Sequence, residues 1–203
     1  TTATAWLIEH GAPREKPGGE IGGGATATTT LFGGGGHALR VPSLDIVEVG
    51  AGGGSIAWVD RGGALRVGPQ SASAAPGPAC YGRGGGKPTV TDANVVLGYM
   101  NPEEIAGATI SIDRDAAWDA IEHNIASPLG LPVLHAALGI TQVANATMMR
   151  ALRAVSTERG RDPRDCTMIA FGGAGPVRAA ALSVASEIIS ALSCAAERKV
   201  GTR

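Results

Sequence analysis

The sequence predicts an α/β protein, with a glycine-rich strand half followed by a helical half. Three observations carry that prediction. Aromatic residues are only 3% of the 203-residue chain, so the core must be built from Val, Ile, Leu and Ala. Such a core suits helix-and-sheet layers better than an aromatic-rich sandwich. Short apolar runs split by glycine clusters fill residues 41–67, whereas helical apolar spacing takes over from about residue 91.

The elements follow in order. The chain opens without a methionine on a strand-like run at residues 5–8, as a piece of a longer protein would. Residues 11–37 are turn-rich. Within them Gly22-Gly-Gly-Ala-Thr-Ala-Thr-Thr-Thr-Leu-Phe-Gly-Gly-Gly-Gly36 is low in complexity and is expected to be a mobile, inserted loop. Residues 43–49 and 55–59 read as strands joined by Gly50–Gly54. Arg61-Gly-Gly63 is a tight turn and residues 64–67 a third short strand. Residues 70–87 are rich in Pro, Gly and Ser and have no periodicity, the pattern of a functional or disordered loop.

Thr91 or Asp92 can cap a short helix ending near Gly98, and Asp113 a second whose apolar stripe is Ala117, Ile121 and Ile125. A third helix starts within residues 134–138. A fourth runs from about Ile140 to Glu158, carries Val143, Met148, Leu152 and Val155, and stops at Gly160. Residues 166–171 are predicted to be a buried strand. It feeds Gly172-Gly-Ala-Gly-Pro176 and then an Ala-rich helix from Val177.

Bulk composition excludes some functions. The formal charge is −1 and no block of like charges stands out, which argues against nucleic-acid and membrane-surface binding. Cys80, Cys166 and Cys194 are odd in number, far apart and free of any CxxC pair. That argues against a cysteine zinc site or a disulfide scaffold and suits the cytoplasm. No signal peptide and no apolar run of about 18 residues is present. Glycine, at 31 of 203 residues, is about twice the usual ~7%. Such positions gather where backbone turns sharply or approaches a ligand.

Two glycine turns are candidate binding elements. In the strand–Gly172-Gly-Ala-Gly-Pro–helix unit, bare amides lie at the positive end of a helix and can receive a phosphate or a flat ring. The same unit also serves as a plain β–α connection. Gly50-Ala-Gly-Gly-Gly-Ser55 can form an anion nest with Ser55 as an added donor, or a glycine hairpin. It is not a Walker A loop, because no Gly-Lys-Ser/Thr follows. Asp45, Glu48, Asp60 and Asp92 can share Mg²⁺ through a few carboxylates and waters, although acids near strand ends also form turns and caps. Cys80 sits in a stiff loop that could present a thiolate, or it is a small core residue. His10, His37, His123 and His135 share no ligand-like spacing.

Taken together, these segments resemble the hydantoinase A/5-oxoprolinase family. The matches are residues 44–60, Pro76-Gly-Pro-Ala-Cys-Tyr-Gly-Arg-Gly-Gly85, Pro88-Thr-Val-Thr-Asp-Ala-Asn94, Val143-Ala-Asn145, Ser156-Thr-Glu-Arg-Gly-Arg-Asp-Pro-Arg-Asp165 and Ala170-Phe-Gly-Gly-Ala-Gly-Pro176. They fall in family order across residues 41–182. The resemblance implies an actin-like fold of the sugar-kinase and heat-shock type, present here as one partial domain over residues 1–203. It implies ATP between two lobes, with Gly172, Gly173, Ala174 and Gly175 as the adenosine turn. Gly50, Gly52, Gly53, Gly54 and Ser55 are then further nucleotide contacts, and Asp45, Glu48 and Asp92 the candidate catalytic carboxylates, with the metal ligands unassigned. The implied chemistry is ATP- and Mg²⁺-dependent opening of a cyclic amide such as 5-oxoproline or a hydantoin, beside a B-type subunit or fused domain. Related subunits belong to acetone-type carboxylases, and the sequence does not separate the two reactions.

The chain departs from the family at four places. Thr1-Thr-Ala-Thr-Ala-Trp-Leu-Ile8 looks like the tail of a phosphate motif without its Asp-x-Gly-Gly, and Thr4 stands at the motif's second Asp. Residues 22–36 look inserted, Arg178 replaces an expected histidine, and residues 184–203 diverge. The first and last departures suggest a fragment that is inactive alone, or a catalytically inert assembly remnant. A dinucleotide-binding oxidoreductase is disfavoured, because no Gly-x-Gly-x-x-Gly opens a helix after the first strand.

Overall fold

The structure is a computed structural model that describes residues 2–21, 37–101, 111–173, 175–186 and 189–192. Its strands are β1 (Ala3–Trp6), β2 (Ile8–Glu9), β3 (Ala12–Pro13), β4 (Glu15–Lys16), β5 (Gly19–Ile21), β6 (His37–Leu39), β7 (Ser43–Leu44), β8 (Ile46–Val49), β9 (Ser55–Val59) and β10 (Leu65–Ser71). Helices α1 (Val90–Val96), α2 (Arg114–Ile121), α3 (Ser127–Leu129) and α4 (Val133–Val155) follow. The unit β11 (Thr167–Ala170), α5 (Gly175–Ser186) and β12 (Ile189–Leu192) comes last. The expected inserted loop at 22–36 and most of the divergent tail lie outside the described residues.

The strand half pairs differently from a simple hairpin. β8 lies antiparallel to β1, with Val49 opposite Ala3 and Glu48 opposite Thr4. β9 instead pairs with β10, so the Gly50–Ser55 turn carries the chain from one sheet to another. β10 runs on to Ser71, into the expected loop. It can do so because Gly68, at φ +71°, lets the strand pass close to the carbonyl of Gly50. β11 and β12 are parallel, joined through α5.

The expected helices mostly form, with three differences. The cap of α1 is Thr89, whose side chain accepts from the amide of Asp92 while the Asp92 carboxylate accepts from the amide of Thr89. Asp92 thus closes a capping box from inside the helix. The third and fourth expected helices are one 23-residue helix, α4, running through Gly139. A side chain there would press on Leu65, 3.1 Å away, so a glycine's helical cost is accepted for close packing against β10. That helix ends at Val155, and Gly160 closes a following 3₁₀ turn, Thr157–Arg159. β11 is half exposed rather than buried, because among the described residues only β12 pairs with it.

α4 also organises the interior. Its first half packs Val133, Ala136, Ala137, Ile140 and Ala144 into a core with Val90, Val95, Ile121 and Ile125. Its second half carries Met148 and Met149 into a smaller cluster with Ala51 and Leu182. Among the described residues no single helix is long and apolar enough to cross a membrane.

Candidate functional site

The first turn of α1 and its cap hold together three segments that are distant in sequence. The amide of Thr91 donates to the carbonyl of Gly53 at 2.8 Å. The carboxylate of Asp92 accepts from the amide of Cys80 at 2.8 Å, from that of Ala79 at 3.3 Å, and from the amide and hydroxyl of Thr89 at 2.7 and 2.8 Å. The side-chain amide oxygen of Asn94, Oδ1, accepts from the Arg178 guanidinium at 2.6 Å. One short helix therefore fixes the Gly50–Ser55 turn, the Cys80 loop and α5 relative to one another.

The Gly50–Ser55 turn is buried at Ala51, Gly52 and Ser55 and half-buried at Gly53 and Gly54. Ser55 is buried, and its hydroxyl oxygen accepts from the amide of Gly52 at 3.0 Å, which closes the turn. Among the described residues the amides of Gly53 and Gly54 have no acceptor. Ala51 is buried against Met148, Met149 and Leu182, so the turn is anchored to α4 and α5. The second glycine turn follows β11. Gly172 and Gly173 are exposed, and Gly172 has φ +84°. Phe171 meets the edge of Trp6 from β1 at a centroid distance of 5.5 Å. The turn sits at the carboxyl end of β11, where open α/β sheets present their ligand sites. Ala174 lies outside the described residues.

The three candidate carboxylates are placed apart in role. Asp92 is fully buried, and its acceptor capacity is taken by the four internal donors above. Asp45 is buried and paired with the Arg159 guanidinium, with Arg14 at 3.9 Å. Glu48 is exposed on β8 and makes no ion pair among the described residues, which leaves it as the candidate carboxylate open to a ligand. No cluster of three His, Cys, Asp or Glu side chains among the described residues is arranged to hold a metal ion. Asp60 instead accepts from the amides of Gly62 and Ala64 and from Arg66 across a hairpin. These bonds hold its carboxyl below the usual range. Cys80 is fully buried, and burial followed by the nearby Asp92 pushes its thiol far up. The loop presents no thiolate, and Cys80 packs as a core residue.

The residues that join these parts were quoted in the sequence motifs without being read as site residues. Arg178 is almost wholly buried, with Asn94 on one side and Asn145 at 3.4 Å on the other. Burial lowers its pKa. The signal was present, since all three lie in or beside the quoted motifs. What was missing was their convergence.

The profile of the family described as Hydantoinase/oxoprolinase matches residues 1–199. The chain belongs to the hydantoinase/oxoprolinase family. It is 51% identical over 138 residues to the caprolactamase subunit alpha of Pseudomonas jessenii, covering 68% of this chain and 20% of that protein. It is 48% identical over 192 residues to the uncharacterized protein MJ0964 of Methanocaldococcus jannaschii, covering 95% of this chain and 28% of that one. Among solved structures, the nucleotide-free acetone carboxylase superposes with a TM-score of 0.76 at 29% identity, over 93% of this chain and 25% of that chain. This hydantoinase/oxoprolinase chain thus spans 20–28% of the length of these relatives.

Proposed function

We propose that this chain is part of the ATP-dependent subunit of a cyclic-amide hydrolase acting on a lactam, hydantoin or 5-oxoproline. The observation that carries the reading is the joining of both glycine turns through α1 and α5 in a member of this family. The 51% identity to a caprolactamase subunit supports an amide substrate. In this reading the fold is a partial actin-like ATPase domain in the cytoplasm. The free amides of Gly53 and Gly54 meet phosphate oxygens, while Gly50, Gly52 and the buried Ser55 shape the turn that presents them; Gly172, Gly173, Ala174 and Gly175 meet the adenosine. Mg²⁺ would arrive with the phosphates and keep most of its waters, with Glu48 as its protein carboxylate. ATP supplies phosphoryl activation of the amide oxygen, and backbone donors offset the charge that develops. Asp45 and Asp92 then act structurally, Asp45 through Arg159 and Asp92 through Thr89 and the Cys80 loop. A B-type subunit or fused domain completes the enzyme.

The test is calorimetric titration of Mg·ATP into the protein that carries this chain, followed by ATP turnover with a lactam or hydantoin. Binding with amide-dependent turnover supports the reading. Absence of both overturns it and favours an inert assembly role. The superposition on acetone carboxylase favours a second reading, ketone carboxylation. ATP turnover that requires bicarbonate and a ketone would select it.

A further inference from the structure

Arg178 is 2% exposed, although it is charged and stands in the first turn of α5, just after Gly175. Its guanidinium donates to two neutral side chains. Nη2 meets Oδ1 of Asn94 at 2.6 Å, and Nη1 meets Oδ1 of Asn145 at 3.4 Å. Its Nε and the Nδ2 of Asn94 are buried without a hydrogen-bond partner. A buried cation with so few bonds costs stability, and a well-packed apolar side chain often serves a core as well or better. What the contact supplies is direction.

It lies on a direct route between the two glycine turns. The amide of Thr91 holds the carbonyl of Gly53 at 2.8 Å. Asn94 stands three residues further along α1, on the same face. Arg178 carries the link into α5, whose first residue, Gly175, ends the second turn. Each helical step adds a rise of only about 4.5 Å. A second tie is apolar: Ala51 of the first turn clusters with Met148, Met149 and Leu182 of α5. Apolar packing is non-directional, so it keeps these surfaces together without fixing how α5 slides or rotates on them. The bond from Arg178 to Asn94 depends on distance and angle, and fixes both.

We propose that Arg178 is a positioning residue that sets the span between the two glycine turns, so that the phosphates and the adenosine of one nucleotide are held at once. This role rests on the nucleotide binding proposed for the turns. A ligand with two linked parts binds better than either part only when the two sites sit at the spacing it presents. A small shift of α5 leaves the amides of each turn in place and spoils their joint fit. The loss then falls on the whole nucleotide and spares its pieces.

The experiment uses the full-length protein that carries this chain. Mg·ATP, adenosine and Mg·tripolyphosphate each displace a fluorescent ATP analogue, and their affinities are compared across variants. Arg178→Lys keeps the charge and loses the planar fork. It is expected to weaken Mg·ATP about tenfold and each piece by less than about twofold. Asn94→Asp keeps an acceptor for the same guanidinium and should hold all three affinities within about twofold of wild type. Ile125→Val, fully buried in the other core cluster, should lower the urea midpoint and change no affinity. Where Arg178→Lys fails to fold, Asn145→Ala removes only the 3.4 Å contact and should weaken Mg·ATP about twofold to threefold with the pieces unchanged. Variants that weaken all three ligands equally, or leave Mg·ATP unchanged, overturn the positioning role and leave nucleotide binding standing. A wild-type protein that binds none of the three overturns nucleotide binding and this role with it.

Discussion

The guanidinium of Arg178 donates to Asn94 at 2.6 Å, across 84 residues, and no carboxylate pairs with it among the described residues. A buried cation held by neutral amides depends heavily on each of them. Asn94→Ala should leave Arg178 with only the 3.4 Å contact to Asn145. The expected cost is about 2–4 kcal/mol, read as a lower urea midpoint. Asn94→Asp restores a charge-assisted acceptor and should cost less. Equal losses in the two variants would count against this reading.

Asp45 and Arg159 tie the start of β8 to the turn after α4, 114 residues away. Their side chains are 10% and 27% exposed, so the pair is partly shielded from water. Asp45→Asn and Arg159→Gln are each expected to destabilise by roughly 1–3 kcal/mol. A double-mutant cycle should return a coupling of about 1–2 kcal/mol. A coupling near zero would show that the contact contributes nothing in solution.

Gly68→Ala tests the approach beneath the first glycine turn. The added Cβ would lie 2.9 Å from the carbonyl of Gly50, at a φ of +71°. A loss of roughly 2 kcal/mol or more is expected. Because the displaced atom belongs to the Gly50–Ser55 turn, Mg·ATP affinity should fall as well. Gly63→Ala, also at positive φ but with open space around it, should cost less and leave affinity unchanged.

Cys80 should resist alkylation in the native state, while the half-buried Cys166 reacts before it. The folded Cys80 pKa lies above the ordinary 9.0, owing to burial and then Asp92. Below that ordinary value both states hold the proton, and the stabilisation is fully present. As pH rises above it the unfolded state loses its proton first, so stability falls. Cys80→Ala or Cys80→Ser should flatten the alkaline limb of the stability profile between about pH 9 and 11. An unchanged limb would refute the assignment.

Much of this architecture was legible because it rests on local rules. The stripe of Ala117, Ile121 and Ile125 is fully buried, and Asp113 caps α2 by accepting from the amide of Ala116. The strand at β9 and the turn before α5 were also readable. The continuity of α4 through residue 139 was not, because Gly139 is a packing residue whose reason, Leu65, lies on another element. Nor was the pairing of β8, since a glycine-rich connection looks the same whether it closes a hairpin or crosses between sheets. Asp45, Glu48 and Asp92 share one chemistry in the sequence, and burial separates them into an ion pair, an open carboxylate and a fully bonded clamp.

The sequence by itself determined the family, the order of strands and helices, and the two glycine turns. Each is written in residue type and short-range spacing, which act through backbone freedom and apolar periodicity. Only the tertiary structure decided which partners meet: Thr91 with Gly53, Asn94 with Arg178, Asp45 with Arg159. Such contacts span tens to more than a hundred residues. They are fixed by how α4 packs both clusters at once, a property of the assembled core that no local window contains.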